Sequence, residues 1–333
     1  MKIVIYLSIL IALVGCNSGN KNISLLIYNE NDPFIQDMTH YIKEETTGSY
    51  NLTVLNSENF QIIQNENIED RISAGDDLLI INPVDRLGVY PIIKKLKSKN
   101  IPVIFFNRAP LEKDLELWDK AYYVGTKGLQ SAQIQAEMVE ELFGSDPNSL
   151  NKYDKNGNGI IETVILKGEQ GHQDAEVRTT EVVKSLKRSG FKLDILITEV
   201  ADWDRFEAYD KMKIISNDYK GQIELVISNN DSMAIGAIAA MRQNGIFRDD
   251  NENGRIDKND DNWIPVIGID GISEAVELIN TGYLYGTVLN DAKMQAEAIK
   301  ELADAILNNR EFESSKFKLI DKRLILIDYK ILQ

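Results

Sequence analysis

The stretch KGEQGHQDAEVRTT, residues 167–180, gathers groups able to do chemistry: an imidazole at His172, a carboxylate at Asp174 and a guanidinium at Arg178. His172 is one of only two histidines in the chain. Such a set suits a catalytic dyad, a metal site, or a fixed array of hydrogen-bonding groups for a small polar molecule. Asp174 and Arg178 stand at i and i+4 of the helix expected from about Gln173, so they share a face and can orient each other. His172, just before that helix, donates or accepts according to its tautomer.

The elements that must position these groups follow a regular alternation. Apolar runs ISLLIY (23–28), NLTVLN (51–56), DLLIIN (77–82) and IPVIFFN (101–107) are separated by segments of helical period, such as 33–45 and 85–98. A second set follows: TVILKGE (163–169), LDILITE (193–199), ELVISNN (224–230), IPVIGID (264–270) and LYGTVLN (284–290). Strand and helix in alternation predict an α/β protein with parallel sheets. The echo between IPVIFFN and IPVIGID points to two similar doubly wound lobes. A chain of 333 residues also exceeds one ordinary hydrophobic core.

Ligands of open parallel sheets bind beyond the carboxyl ends of the strands. The polar residues found there are Asp32, Asn107, His172 with Asp174, Asn230, Asp270 and Asn290. Any one of them could simply cap the following helix. Together they offer carboxylates, carboxamides and an imidazole, which suit a neutral polyol whose hydroxyls both give and take hydrogen bonds. Arg178 supplies matching donors. Phe34 and Trp203 follow strand ends beside aspartates, one from each lobe, and could stack on the two C–H faces of a sugar ring.

Composition narrows the field of partners. Basic residues number 37 against 52 acidic, a net charge of −15, which repels phosphate backbones and makes nucleic acid a poor candidate partner. The amino terminus reads MKIVIYLSILIALVGC, a signal-like apolar core too short to span a bilayer comfortably. Its end, Leu13-Val14-Gly15-Cys16, resembles a bacterial lipobox, with Cys16 acylated as the mature amino terminus and residues 17–22 as a polar tether. The bland alternative is a signal followed by an incidental thiol. Cys16 is the single cysteine, so no intrachain disulfide can form.

The segments NDPF, INPVD, VIFFNRAP, KAYYVGT, LKGEQGHQDAEVRTT, ISNNDSMAIGA, GIDGISEA and GTVLNDA, in this order, carry a resemblance. From Ile23 to about Tyr329 the chain resembles the bacterial galactose/glucose-binding proteins of methyl-galactoside ABC transport, in a lipoprotein form. These belong to the type I periplasmic solute-binding family. The resemblance implies two lobes joined by a three-segment hinge, with crossings near Thr126, near Asn290–Asp291 and in the strand after Asp321. The implied division is a signal peptide at 1–16, a tether at 17–22, an N-terminal lobe of 23–126 plus 291–324, and a C-terminal lobe of 127–290 plus 325–333. It further implies that Asp32, Asn107, His172, Asp174, Arg178, Asn230, Asp270 and Asn290 hydrogen-bond a hexose between Phe34 and Trp203. Hinge closure would bury the sugar. The implied role is that of a monomeric, non-enzymatic receptor, lipid-anchored in the periplasm or at the cell surface, handing D-galactose or D-glucose to the membrane subunits of an ABC importer and to a chemoreceptor.

Two loops suggest calcium as cofactor. DKNGNGIIE (154–162) matches the first nine positions of an EF-hand loop: Asp154, Asn156 and Asn158 as side-chain ligands, Gly159 at the turn, Ile160 through its carbonyl and Glu162 at position nine. Position twelve is Ile165, so the loop alone lacks its bidentate glutamate; the resemblance supplies that ligand from Glu224. DDNENGRIDKND (249–260) departs from the family pattern and resembles a dockerin calcium loop, with Asp249, Asn251, Asn253, Arg255 through its carbonyl, Asp257 and Asp260 as ligands. An acidic surface turn is the alternative there.

Asp32, Asp174 and His172 could serve a glycosidase, but a site rich in Asn and Arg donors suits a ground-state sugar, and no GxSxG motif is present. A sugar-responsive repressor would place a helix-turn-helix where the export signal stands. Another pentose or hexose would change the ligand and nothing else.

Overall fold

The computed structural model describes residues 20–257 and 262–333. Cys16 and the tether residues 17–19 lie outside the described residues, as does Asp260 of the second acidic loop.

The first lobe builds β1 (Lys21–Ile27), α1 (Pro33–Thr46), β2 (Tyr50–Asn56), α2 (Gln61–Ala74), β3 (Leu78–Ile81), α3 (Val89–Lys99), β4 (Val103–Phe106), α4 (Glu112–Leu115) and β5 (Ala121–Thr126). The second builds α5 (Gly128–Phe143), β6 (Ile161–Lys167), α6 (Gln173–Arg188), β7 (Leu193–Val200), α7 (Arg205–Asp218), β8 (Leu225–Ser228), α8 (Asp231–Gln243), β9 (Val266–Asp270), α9 (Ser273–Asn280) and β10 (Gly286–Leu289). The chain then returns through α10 (Ala292–Leu307) and β11 (Leu324–Ile327) to end in β12 (Lys330–Leu332).

Strand order is the same in both sheets. One runs β11-β5-β4-β3-β1-β2 and the other β12-β10-β9-β8-β6-β7. All pairings are parallel except that of β12 with β10. The central strands LLII and VIFF are wholly buried because helices cover both faces of the sheet, which is why they read as unbroken apolar runs. Each lobe accordingly has two cores, one per face. Phe105 and Phe106 are both inaccessible to solvent on opposite faces of β4, each burial stabilising by roughly 1.5–3 kcal/mol.

The lobes are joined by three crossings: β5 to α5, β10 to α10, and β11 to β12. Two boundaries differ from expectation. The first lobe begins at Lys21, inside the expected tether, because the Lys21 ammonium and the Asn22 N–H bond the Asp77 carboxylate at 2.9 Å each and extend β1. Residues 325–327 belong to the first lobe and not the second, because β11 pairs with β5 in register Leu324–Tyr123 to Ile327–Thr126. The third crossing is therefore Asp328–Tyr329.

Candidate functional site

The carboxyl ends of the two sheets face each other across a narrow chamber. Its walls bring together Asp32, Phe34 and Asn107 from the first lobe with His172, Asp174, Arg178, Trp203, Asn230 and Asp270 from the second. The lobes are in contact across it, where Arg108 Nη2 donates to Glu169 Oε2 at 3.0 Å.

Each wall residue is fixed by its element. Asp32 caps α1, its Oδ1 accepting from the N–H groups of Phe34 (2.9 Å) and Ile35 (3.2 Å), while Oδ2 accepts from the Tyr28 hydroxyl at 2.5 Å. Asn230 caps α8 through Oδ1, which accepts from Met233 N at 3.0 Å, and its Nδ2 donates to Trp203 O at 3.2 Å. His172 caps α6: Nδ1 accepts from Asp174 N at 3.1 Å. Burial, then the positive field of Arg108, Arg178 and Arg86, lowers the His172 pKa to about 3, so its imidazole is neutral and carries its proton on Nε2. That rules out an imidazolium here at ordinary pH.

Arg178 is buried on α6. Its Nη1 donates to Asn229 O at 2.7 Å and Nη2 to the Tyr329 hydroxyl at 3.0 Å, whereas Nε is a buried donor with no hydrogen-bond partner. Asp174 Oδ2 lies 3.8 Å from Nη2. Burial opposes the guanidinium charge, yet Tyr329, Asp174 and Asp270 outweigh it and hold Arg178 protonated. Asp270 is also shifted upward, but by burial itself, which pushes its pKa well above the usual carboxylate range against the pull of Arg178.

Three of the wall residues adopt backbone that side chains rarely take: Asn107 at φ 58°, Trp203 at 65° and Asp270 at 133°. Such strain, roughly 1–3 kcal/mol each, concentrates at ligand clamps. Trp203 stands edge-on to His172, with ring centroids 5.1 Å apart, and lies against the backbone of Gly168, where an added Cβ would come within 2.3 Å of the indole. Glycine at 168 makes room for the ring.

One expected residue is placed differently. Asn290 is buried behind Asp270 and off the chamber wall, its Nδ2 donating to Asp270 Oδ1 at 3.4 Å and its Oδ1 accepting from Gln295 Nε2 at 2.7 Å. Two wall residues were missed. Tyr28 reads as the last apolar residue of a strand, and Arg108 as a basic residue after Asn107. The guanidinium of Arg108 stacks 4.0 Å over the Tyr28 ring and reaches the opposite lobe, relations with no local sequence signal.

The loop 154–162 folds as an EF-hand-like turn. Asp154 accepts from the N–H groups of Gly157, Asn158 and Gly159, while Asn156 and Asn158 donate to Glu162 Oε1 at 3.1 and 2.8 Å. Glu162 and Glu224 are both buried; Glu162 Oε2 has no partner, and burial followed by Glu162 raises Glu224 to about 7. The second loop repeats all of these bonds but the one at the fourth position: Asp249 accepts from Asn253 and Gly254 N–H, and Asn251 and Asn253 donate to Asp257 Oδ2 at 2.9 and 3.2 Å. Arg255 N–H bonds Asn253 Oδ1 at 2.8 Å, as Ile160 N–H bonds Asn158 Oδ1 at 2.7 Å. Among the described residues no three His, Cys, Asp or Glu side chains converge as a ready-made metal cluster. The oxygens of Asp154 stay with the turn amides.

Two doubly wound lobes, a three-strand hinge and a chamber walled by carboxylates, carboxamides and aromatics define a type I solute-binding protein. The chain belongs to the periplasmic binding protein family, whose domain it matches over residues 23–311. It is 35% identical to the D-galactose/methyl-galactoside binding periplasmic protein MglB of Haemophilus influenzae, over 94% of this chain and 89% of that protein. It is 26% identical to the xylitol-binding protein of Mycolicibacterium smegmatis, over 90% of this chain and 76% of that one. Among solved structures, a solute-binding protein of Bacillus halodurans with bound myo-inositol superposes with a TM-score of 0.75 at 26% identity, covering 95% of this chain and 96% of its own. The chain is thus a sugar-binding component of an ABC importer and not an enzyme.

Proposed function

We propose that the chamber binds D-galactose or D-glucose and that the closed form delivers the hexose to the membrane subunits of the importer. The observation that carries this reading is the donor set. Asp32 and Asp174 accept from hydroxyls, Asn107 and Asn230 both donate and accept, and the partnerless Nε of Arg178 awaits an oxygen. Phe34 and Trp203 flank the ring. A chemoreceptor is a second candidate reader of the closed form. Calorimetry with galactose, glucose, ribose, xylitol and myo-inositol tests the ligand: one of the two hexoses binds tightest. If ribose, xylitol or myo-inositol binds tighter than both, the hexose reading fails.

The same proposal includes calcium in loop 154–162, held by Asp154, Asn156, Asn158, the Ile160 carbonyl, Glu162 and Glu224. Two buried carboxylates side by side, one oxygen without a partner, fit a divalent cation of oxygen preference. A second calcium ion in loop 249–260 follows from the repeated bonding pattern, with Asp260 as its twelfth-position ligand. Cys16 is proposed as the acylated anchor that holds the receptor at the membrane, in the periplasm or on the cell surface. Among the described residues no helix is long and apolar enough to cross a membrane.

A further inference from the structure

We propose that Tyr329 is a positioning residue which couples the hinge to Arg178, so that Arg178 is aimed at the sugar only when the lobes are closed. The inference rests on the reading that Arg178 contacts the ligand. Tyr329 lies on the third crossing between β11 and β12 and is 4% exposed. Its phenol oxygen accepts from Thr126 Oγ1 at 2.7 Å and from Arg178 Nη2 at 3.0 Å, while its N–H donates to Gln130 Oε1 at 3.1 Å. Thr126 ends β5 in the first lobe; Arg178 sits on α6 in the second. One oxygen on the hinge therefore bridges both lobes.

The geometry of the guanidinium gives the bridge its consequence. A guanidinium is planar, so fixing Nη1 on Asn229 O and Nη2 on Tyr329 fixes where Nε points. Nε is the donor left without a partner. When the lobes rotate apart, Thr126 and Arg178 move with different bodies, and Tyr329 cannot keep both bonds. The bridge thus belongs to the closed state, and whatever it contributes there adds to ligand affinity, because closure and binding are linked. The same crossings reach other wall residues. Lys127–Gly128 runs so close to Asp174 that a Cβ at Gly128 would lie 2.8 Å from its Oδ1, and Tyr123 at the hinge end of β5 donates its hydroxyl to Asn107 O at 3.0 Å.

Tyr329→Phe keeps the ring and removes the bridge. Lobe-to-lobe distances from paired spin labels, taken with and without hexose, read closure, and calorimetry reads affinity. Expected are a several-fold smaller closed population and a hexose Kd raised about tenfold or more, the scale of a lost hydrogen bond to a charged group. Thr126→Val moves both readouts the same way by less. In an Arg178→Lys background Tyr329→Phe adds under about threefold, since its partner has already lost the fork. Unchanged distances and Kd in Tyr329→Phe overturn the proposal; so does a full effect surviving in the Arg178→Lys background, which would make Tyr329 plain packing. Should the wild type bind neither hexose, the sugar reading falls, and the sugar-free distance distributions still decide the coupling.

Discussion

On the proposed calcium reading of loop 154–162, removing the ion should make stability depend on pH through Glu224. This carboxyl is 1% exposed and lies beside buried Glu162. Burial first, then its neighbour, raises its pKa from 4.5 to about 7 in the metal-free fold. Between those values the native state keeps a proton that the unfolded chain has lost. The contribution is therefore fully present below 4.5 and is lost as pH rises through 7. A shift of that size corresponds to about 3 kcal/mol at most. A bound divalent cation favours both ionised carboxylates and cancels the loss. Denaturant unfolding from pH 5 to 8 (roughly the span in which folded proteins are most stable), in chelator and in excess calcium, measures it. The chelated protein should fall behind the calcium-loaded one progressively with pH, by up to about 3 kcal/mol at the alkaline end. Asp231, raised to about 6 by burial, and Asp270 tilt both curves alike, so the difference isolates the loop. Glu224→Gln should flatten the chelated curve. Parallel curves in the two conditions, or a slope untouched by Glu224→Gln, would refute the reasoning.

Trp203→Ala should weaken hexose binding by roughly 1–3 kcal/mol in calorimetry, the usual cost of losing a buried aromatic contact; an unchanged Kd would make the indole mere packing on Gly168 and His172. Calcium titration of the stripped protein should show two binding events, with Asp249→Ala leaving one; a single event abolished by Asp154→Ala would remove the second loop from consideration. Cys16→Ser should abolish incorporation of labelled fatty acid and release the protein from the membrane fraction, and retention in that fraction would sink the anchor.

Much of the fold could be read from the chain because parallel strands covered on both faces must be continuously apolar, as LLII and VIFF are. The residues that line the chamber were picked out by the rule that ligands meet strand carboxyl ends. What escaped depended on partners distant in sequence. LILI at 324–327 carries no mark of which sheet it joins; only its pairing with β5 decides that, and it moved the third crossing to Asp328–Tyr329. Asn290 stands at a strand end like the wall residues, yet Gln295 on α10 and Asp270 hold its side chain away from the chamber. Arg108 became a wall residue only through Tyr28 beneath it and Glu169 opposite.

On the proposed hexose reading, capping a helix and binding a ligand are compatible tasks for Asp32, His172 and Asn230, because each of these side chains has two polar atoms. Asp32 spends Oδ1 on the amides of α1, Asn230 spends Oδ1 on α8, and His172 spends Nδ1 on α6. The cap fixes the rotamer during folding. Tyr28 then orients Asp32 Oδ2, and the neutral His172 is left with Nε2–H as a donor of known direction. Rotamer entropy lost at folding need not be lost again when sugar binds, which improves affinity without adding a contact. Helices α1, α6 and α8 start at the cleft because each follows a parallel strand whose carboxyl end faces it. A helix that begins where the ligand sits turns every good cap into a pre-aimed hydrogen-bonding group, and residues chosen for one task are already placed for the other.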